Sequence, residues 1–97
     1  MRLLLLAVLI VVPLFAQVFG QYRVEKIAAG YRFTEGPAWS REGYLVFSDL
    51  PNQRIHKWTP GEKVAVLREN SNRANGNAFD AQGRLYSCEA GGPARQM

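Results

Sequence analysis

Glu35 is the residue whose chemistry most needs an explanation, because it interrupts the apolar and turn-forming stretch FTEGPAW, Phe33–Trp39. An ionised carboxylate entering a core without a partner is costly, so Glu35 is expected to be exposed, paired or bound to a cation. Asn75 follows forty residues later. A carboxylate and an amide oxygen without His or Cys form a hard donor set, which suits calcium or magnesium better than a soft metal.

Ordinary structural roles are the alternatives for these residues. Glu35 could pair with an arginine or cap a turn, and Asn75 precedes Gly76 in a common turn dipeptide. Arg73 lies two residues before Asn75, and strand periodicity predicts that both lie on one side. Its guanidinium could hold a carboxylate or hydroxyl of a substrate, or it could form a surface ion pair.

A repeat of forty residues relates the two oxygen-bearing positions. The stretch EGPAWSREGYLVFSD, residues 35–49, aligns without a gap on NGNAFDAQGRLYSCE, residues 75–89. Identical residues occur at Gly36 and Gly76, Ala38 and Ala78, Gly43 and Gly83, and Leu45 and Leu85. The glycines mark turns, while the leucines and the aromatic pair Trp39 and Phe79 mark core positions, so each copy is expected to be one structural unit.

Strand signals come in fours within one repeat. They cover residues 36–39, 44–48, 54–58 and 63–69, with turns between them, and no long stretch after the apolar N-terminal run has helical periodicity. Four antiparallel strands in about forty residues are typical of a blade of a β-propeller. A lone four-stranded sheet or small sandwich is the alternative, but it does not require a repeat. The sequence therefore predicts an all-β propeller.

The length predicts that only the first blade and part of the second are present. Propellers have typically four to eight blades, so residues 21–97 are expected to be the N-terminal, incomplete part of a propeller domain in a longer protein. Such a piece buries little apolar surface. Because the first strand of each blade lines the central channel, Glu35 and Asn75 are expected to converge at its mouth.

Residues 1–20 have the layout of a secretory signal peptide. Arg2 precedes an uncharged apolar run over residues 3–16, and Gly20 offers a cleavage point. An uncleaved anchor is the alternative, but the run is shorter than the roughly 20 residues that span a bilayer. We therefore expect export to a periplasm or to the outside, without a stable membrane anchor.

Composition argues against several other classes of protein. The net charge is +4, and the arginines alternate with acids as on a solvated surface, so a nucleic-acid partner is not expected. Cys88 is the single cysteine and is expected to be a small buried hydrophobe, and the single His56 does not support a zinc site. Trp39, Trp58 and Phe79 are expected to pack in the core between blades.

Three stretches resemble the start of the gluconolactonase and regucalcin family: FTEGPAW, LVFSDLPNQRIHKW at 45–58, and NRANGNAFDAQGRLYSCEAGG at 72–92. The resemblance implies a six-bladed, calcium-dependent propeller that hydrolyses sugar lactones and related esters. In that family the acid of the EGP motif is a metal ligand, which implies this role for Glu35. The Arg and Asn of the segment matching RANG contact substrate, which implies these roles for Arg73 and Asn75.

Two features of the family have no counterpart in this sequence. Its remaining metal ligands, an Asn and an Asp from later blades, are missing, and that Asp is also its usual general base, so the resemblance implies a general base beyond Met97. A further acidic substrate contact cannot be placed on Glu89. The sequence therefore predicts part of a secreted metal-dependent lactonase, with calcium as cofactor, that is inactive alone. A non-catalytic secreted propeller that binds a ligand or protein is the alternative.

Overall fold

The computed structural model describes residues 20–91, which form six β-strands and no helix. The strands are β1 (Thr34–Ser40), β2 (Tyr44–Asp49), β3 (Arg54–Trp58), β4 (Ala65–Arg68), β5 (Ala74–Phe79) and β6 (Leu85–Glu89). β3 begins and ends where the sequence predicts, β1 is longer at both ends, and β4 is shorter. The all-β prediction is thus confirmed.

Two predicted boundaries lie at the edges of the described residues. The expected signal peptide, residues 1–20, lies almost entirely outside them, and so does Met97, to which the incomplete propeller domain is expected to extend. Within residues 20–91 there is no helix that could cross a membrane. The boundary between signal and domain stays a prediction.

The strands form one complete four-stranded unit and a second, two-stranded one. Strands β1 to β4 form an antiparallel sheet in chain order, here called the first sheet, and β5 and β6 form a separate antiparallel hairpin, here called the strand pair. Gly43 and Gly83 close the turns of the equivalent hairpins at φ +89° and +82°, donating to the carbonyls of Ser40 and Asp80, both at 3.0 Å. Glycine reaches this left-handed region without a steric penalty.

The pairing of the strands repeats with the offset of forty residues. Three cross-strand pairs of the first hairpin recur in the second. The pair Thr34–Asp49 corresponds to Ala74–Glu89, Ala38–Val46 to Ala78–Tyr86, and Trp39–Leu45 to Phe79–Leu85. In each hairpin the register also shifts in the first half of the first strand, at the level of Gly36 and of Gly76. The predicted repeat is therefore a structural one, with a bulge kept in both copies.

The core lies between the first sheet and the strand pair. Val46 and Ile55 from the sheet and Ala74 from the pair are buried. Partly buried apolar residues surround them: Ala38, Tyr44, Phe79 and Leu85. The rings of Tyr44 and Phe79 meet edge to face, with centroids 5.9 Å apart. The predicted stacking of neighbouring propeller units is confirmed, around a small core.

Two side chains predicted to be buried are exposed instead. Trp39 is 55% exposed because it lies on the face of the first sheet opposite the strand pair, where no further sheet packs among residues 20–91. Cys88 is exposed because successive strand residues alternate between faces, and it lies on the face of β6 that points away from the first sheet. Of the three aromatic residues assigned to the core, Phe79 is packed against it and Trp58 is half-buried.

His56 is buried in an aromatic cluster. Its ring stacks on Phe47 with centroids 5.2 Å apart and meets Tyr31 at 4.9 Å, edge to face. Its Nε2 has no hydrogen-bond partner among the described residues. Burial lowers the pKa of His56, and the negative charge of Asp49 offsets this only in part. The folded chain therefore favours the neutral imidazole.

This burial predicts a loss of stability on mild acidification. In the unfolded chain His56 titrates near 6.5, whereas its pKa in the folded chain is lower, so the unfolded state binds more protons between these values. The stability contributed by His56 is complete above pH 6.5 and is lost as pH falls towards the folded pKa. We expect the thermal midpoint to fall between about pH 7.5 and 5.5. The His56→Gln variant should have a lower thermal midpoint at pH 7.5, and this midpoint should change little between about pH 7.5 and 5.5. A midpoint that falls with pH as steeply as in the wild type would contradict the role assigned to His56.

Candidate metal and substrate site

Glu35 is the second residue of β1 and lies opposite Ser48 of β2. Its side chain is half-buried and lines an open groove of about 340 Å³ between the first sheet and the segment that precedes it. The other residues that line the groove are mostly apolar: Lys26, Ile27, Ala28, Tyr31, Thr34, Pro37, Leu45, Phe47 and Trp58. None of the four ion pairs formed by described residues includes Glu35, so pairing with an arginine does not explain this carboxylate.

The strand that carries Glu35 lies directly against the strand that carries Asn75. Gly36 has φ +62°, and a Cβ atom built on it would lie only 1.9 Å from the carbonyl oxygen of Asn75. No side chain fits there, so glycine is required for this close approach of two backbones. The structure thus brings together the two segments that the repeat predicts to converge.

Asn77 fastens the two units beside this contact. Its Nδ2 donates to the carbonyl of Gly36 at 2.9 Å and to Oγ of Ser48 at 2.8 Å, while its Oδ1 accepts from Oγ of Ser87 at 2.6 Å. One amide therefore joins β1, β2 and β6 to its own strand β5. Sequence reasoning missed this residue, because its counterpart forty residues earlier is Pro37, which has no amide and gives no signal.

The side-chain amide of Asn75 makes one local hydrogen bond and can still bind a further group. Its half-buried side chain accepts a hydrogen bond from the backbone N–H of Gly76 at 2.6 Å through Oδ1. This is the local bond that the turn-dipeptide alternative suggests. An amide oxygen has two lone pairs, so Oδ1 can still accept from a ligand or bind a cation, and Nδ2 can donate.

Arg73 does not belong to a strand, so the argument from strand periodicity was wrong for it. It immediately precedes β5 with φ +55°, and Asn72 before it also has φ +55°. Their carbonyls accept from the backbone N–H groups of Ala90 and Gly91, at 3.2 and 3.1 Å. Such left-handed backbone is unfavourable for non-glycine residues and is often found at ligand sites. Arg73 is half-buried and takes part in none of the ion pairs of the described chain.

Asp49 anchors the chain just before Glu35, and sequence reasoning did not identify it. Its buried carboxylate accepts from the backbone N–H of Phe33 at 3.1 Å and of Arg32 at 3.3 Å, and from Nδ2 of Asn52 at 2.8 Å. Burial alone would raise the pKa of Asp49, but the hydrogen bonds from Asn52 and the two backbone groups outweigh it, and the pKa is lowered. The spacing D-x-x-N after a strand is a turn signal that could have revealed it.

Glu89, the repeat counterpart of Asp49, also has structural partners. It accepts from Nδ2 of Asn72 at 3.0 Å and forms an ion pair with Arg68 at 2.7 Å. The hydrogen bonds from Asn72 and then Arg68 hold its pKa below the usual value. Glu89 thus ties the segment before β5 to the end of β4, which gives no support to a substrate contact at this carboxylate.

Glu35 and Asn75 carry a carboxylate and an amide oxygen, which are donor types that calcium binds. Within residues 20–91 there is no group of three or more His, Cys, Asp or Glu side chains that could hold a metal ion. Glu35 forms no ion pair with another residue of 20–91, and Asn75 lies on β5, the strand that packs against β1. Calcium takes six to eight oxygen ligands, so two such donors would fill only a small part of its shell. The general base that is expected beyond Met97 lies outside the described residues.

Comparison with known proteins places these residues in a family context. The sequence profile described as "SMP-30/Gluconolactonase/LRE-like region" matches residues 33–96, which include Glu35, Arg73 and Asn75. A gluconolactonase of Zymomonas mobilis is 29% identical over 70% of this chain, which corresponds to 23% of the relative.

Two solved structures are similar in fold. A gluconolactonase of Xanthomonas campestris, described as important in glucose secondary metabolic pathways, is 43% identical over 61% of this chain with a TM-score of 0.59. A putative gluconolactonase is 27% identical over 67% of the chain with a TM-score of 0.63. The chain spans 20% and 23% of these two proteins, so it matches about a fifth of their length.

Proposed function

Because the chain belongs to the SMP-30/gluconolactonase/LRE-like family, we propose that it forms part of a metal-dependent hydrolase of sugar lactones. The observation that carries the proposal is the close approach of β1 and β5, which sets the carboxylate strand of Glu35 against that of Asn75. Two matched relatives that carry the name gluconolactonase support lactones as the substrate class. A complete metal site would need further ligands besides Glu35 and Asn75.

Glu35 is the proposed metal ligand, and calcium is the proposed cation. Its carboxylate lies at the wall of a largely apolar groove, and carboxylate oxygens are ligands that calcium prefers. A divalent cation bound here would polarise the lactone carbonyl as a Lewis acid. Asn75 would contribute its remaining Oδ1 lone pair to the same cation.

Arg73 and Asn75 are the proposed substrate-binding residues. The guanidinium of Arg73 presents a planar fork of N–H donors, which suits the hydroxyls and carboxylate of a sugar acid. The two backbone hydrogen bonds at Arg73 and Asn72 fix a left-handed conformation, so the base of the arginine side chain is held rather than free. Nδ2 of Asn75 could donate to a sugar hydroxyl, and its Oδ1 would be the atom that binds the cation.

The general base is proposed to come from beyond Met97, in a later part of a longer protein. Asp49 at the end of β2 and Glu89 at the end of β6 are poor candidates for the general base. Both are held in structural hydrogen bonds, and the pKa of each is lowered. A carboxylate with a lowered pKa is poorly suited to take a proton from water near neutral pH. This chain alone is therefore proposed to lack turnover.

Export is proposed from the signal-like N-terminal stretch. Residues 1–20 combine an early arginine with an uncharged apolar run and a small residue at a cleavage point. The protein is therefore proposed to act in a periplasm or outside the cell.

A chimera tests the proposed function. Residues 33–91 would replace the matching segment of the Xanthomonas campestris gluconolactonase, which is 43% identical over 61% of this chain. We expect calcium-dependent acid release from glucono-1,5-lactone, followed by pH-stat titration. Glu35→Gln keeps the size of the side chain but removes its charge, and it should lower kcat by about a hundredfold or more, as when one essential electrostatic group is removed.

Glu42→Gln is the matched control, because Glu42 is an exposed residue of the turn between β1 and β2. It should leave turnover unchanged, and circular dichroism should show both variants folded. A Glu35→Gln chimera with the turnover and calcium dependence of its parent would overturn the assignment of Glu35.

A further inference from the structure

The chain contains a single Asn-Gly dipeptide, formed by Asn75 and Gly76. Asparagine is a chemically labile residue, and it is most labile before glycine, because no side chain then hinders attack by the next backbone nitrogen on the side-chain amide. Packing does not require glycine at this position. A Cβ atom built on Gly76 would meet nothing within 4 Å, and Gly76 is not among the glycines with positive φ.

The side chain of Asn75 is folded over the nitrogen that would attack it. The backbone N–H of Gly76 donates to Oδ1 of Asn75 at 2.6 Å. Because Cγ is bonded directly to Oδ1, this nitrogen lies close to the carbon with which it would form a ring. Holding two reacting groups in such proximity removes much of the entropic cost of their reaction.

Regular strand pairing does not hold this dipeptide. The register passes from Ala74 opposite Glu89 directly to Asn77 opposite Ser87, so Asn75 and Gly76 lie in the bulge and neither is paired with a residue of β6. A bulge disrupts the strand ladder locally, and the open space beside Gly76 leaves room for a ring.

The remaining asparagines of the chain are arranged differently, and none of them precedes glycine. The nitrogen that follows Asn70 belongs to Ser71 and donates to the backbone carbonyl of Gln53 at 2.9 Å. The side-chain amides of three others are held by hydrogen bonds to groups further along the chain or on another strand: Asn52, Asn72 and Asn77.

We propose that Asn75 deamidates spontaneously through a cyclic succinimide. A base removes the proton from the Gly76 nitrogen, this nitrogen forms a bond to Cγ of Asn75, and the side-chain nitrogen leaves as ammonia. Water then opens the ring at either of its two carbonyls, which gives aspartate or isoaspartate. The net change is the hydrolysis of one amide, and either product carries one additional negative charge near neutral pH.

The isoaspartate product disturbs the close approach of β1 and β5. In that product the backbone runs through Cβ and Cγ, and the former backbone carbonyl of Asn75 becomes a free carboxylate. The oxygen of this carbonyl lies 1.9 Å from a Cβ built on Gly36, and Nδ2 of Asn77 donates to it at 3.3 Å. A lengthened backbone cannot keep both contacts. The isoaspartate form should therefore bind calcium more weakly, a consequence that rests on the proposed function.

Peptide mapping of the chimera tests the modification. Trypsin releases residues 74–84, which contain both Asn75 and Asn77, and mass spectrometry shows which of them gains about 1 Da. During incubation at mildly alkaline pH the gain should appear at Asn75 and not at Asn77. The folded chimera should react at least as fast as the same protein in concentrated urea, because the fold holds the nitrogen beside Cγ. A markedly slower reaction in the folded protein would overturn the inference.

Gly76→Ala is the matched control, since its methyl group meets no neighbouring atom but hinders the attack. The variant should keep the circular dichroism of the chimera and should be modified at Asn75 about tenfold more slowly or less. An unchanged rate of modification in this variant would overturn the inference.

Calcium titration separates the modification from its consequence. The isoaspartate form, separated by ion exchange through its additional charge, should bind calcium at least about tenfold more weakly than the unmodified chimera. Freshly prepared Gly76→Ala should bind calcium as the unmodified chimera does. Equal affinities of the modified and unmodified forms would overturn the proposed consequence and the role of Asn75 in calcium binding, but not the deamidation itself.

Discussion

Replacing Gly36 with alanine is expected to lower the free energy of unfolding by about 3 kcal/mol or more, as the sum of two costs. The backbone at this position has φ +62°, where an L-residue with a Cβ is disfavoured. The new methyl group would also lie 1.9 Å from the carbonyl oxygen of Asn75, so β1 and β5 would have to separate. Urea denaturation followed by tryptophan fluorescence measures the loss.

Gly43→Ala is the matched control for this prediction. Gly43 also has a positive φ, +89°, but a Cβ there meets nothing within 4 Å. It should therefore show the conformational cost alone, about 1 to 2 kcal/mol. If Gly36→Ala and Gly43→Ala lower the free energy of unfolding equally, the close backbone contact at Gly36 adds no cost. The close approach of β1 and β5 would then be contradicted.

Replacing Asn77 with alanine is expected to cost about 2 to 4 kcal/mol, since several hydrogen bonds are lost and their partners stay enclosed. The carbonyl of Gly36 and the hydroxyls of Ser48 and Ser87 would each lose the amide that now joins them. Because these bonds link the first sheet to the strand pair, hydrogen exchange should rise in β5 and β6 more than in β2 and β3.

Gln82→Ala serves as the control for Asn77→Ala, because Gln82 is exposed in the turn of the strand pair and only its backbone N–H is used, in a bond to Asp80. Its free energy of unfolding should change by less than about 0.5 kcal/mol. An equally mild effect of Asn77→Ala would show that the amide does not hold the two units together.

Local sequence signals predicted the repeat and most of the strands. The glycines at 43 and 83 recur at the offset of forty, and the hairpins they close have the same register. Turn chemistry and alternation act over a few residues, so they can be read without knowing the tertiary structure. The approach of Glu35 to the segment of Asn75 followed from the repeat as well.

Features that depend on which neighbour covers a face could not be predicted in the same way. Trp39 and Cys88 have apolar character typical of a core, but their exposure depends on the sheet packed beside them. Asn77 bonds to residues 41 and 29 positions away, and no local pattern encodes such partners. The left-handed conformation of Arg73 likewise depends on backbone bonds made from the far end of β6.

The role of Glu35 as a metal ligand is tested most directly by the calcium affinity of the chimera and its variants, measured by isothermal titration calorimetry. Because Glu35 is the proposed metal ligand, Glu35→Gln should weaken calcium binding by more than about tenfold, at least as much as loss of a supporting contact. Glu42→Gln should bind as the parent chimera does. Equal calcium affinity in all three proteins would contradict the claim that Glu35 is a metal ligand.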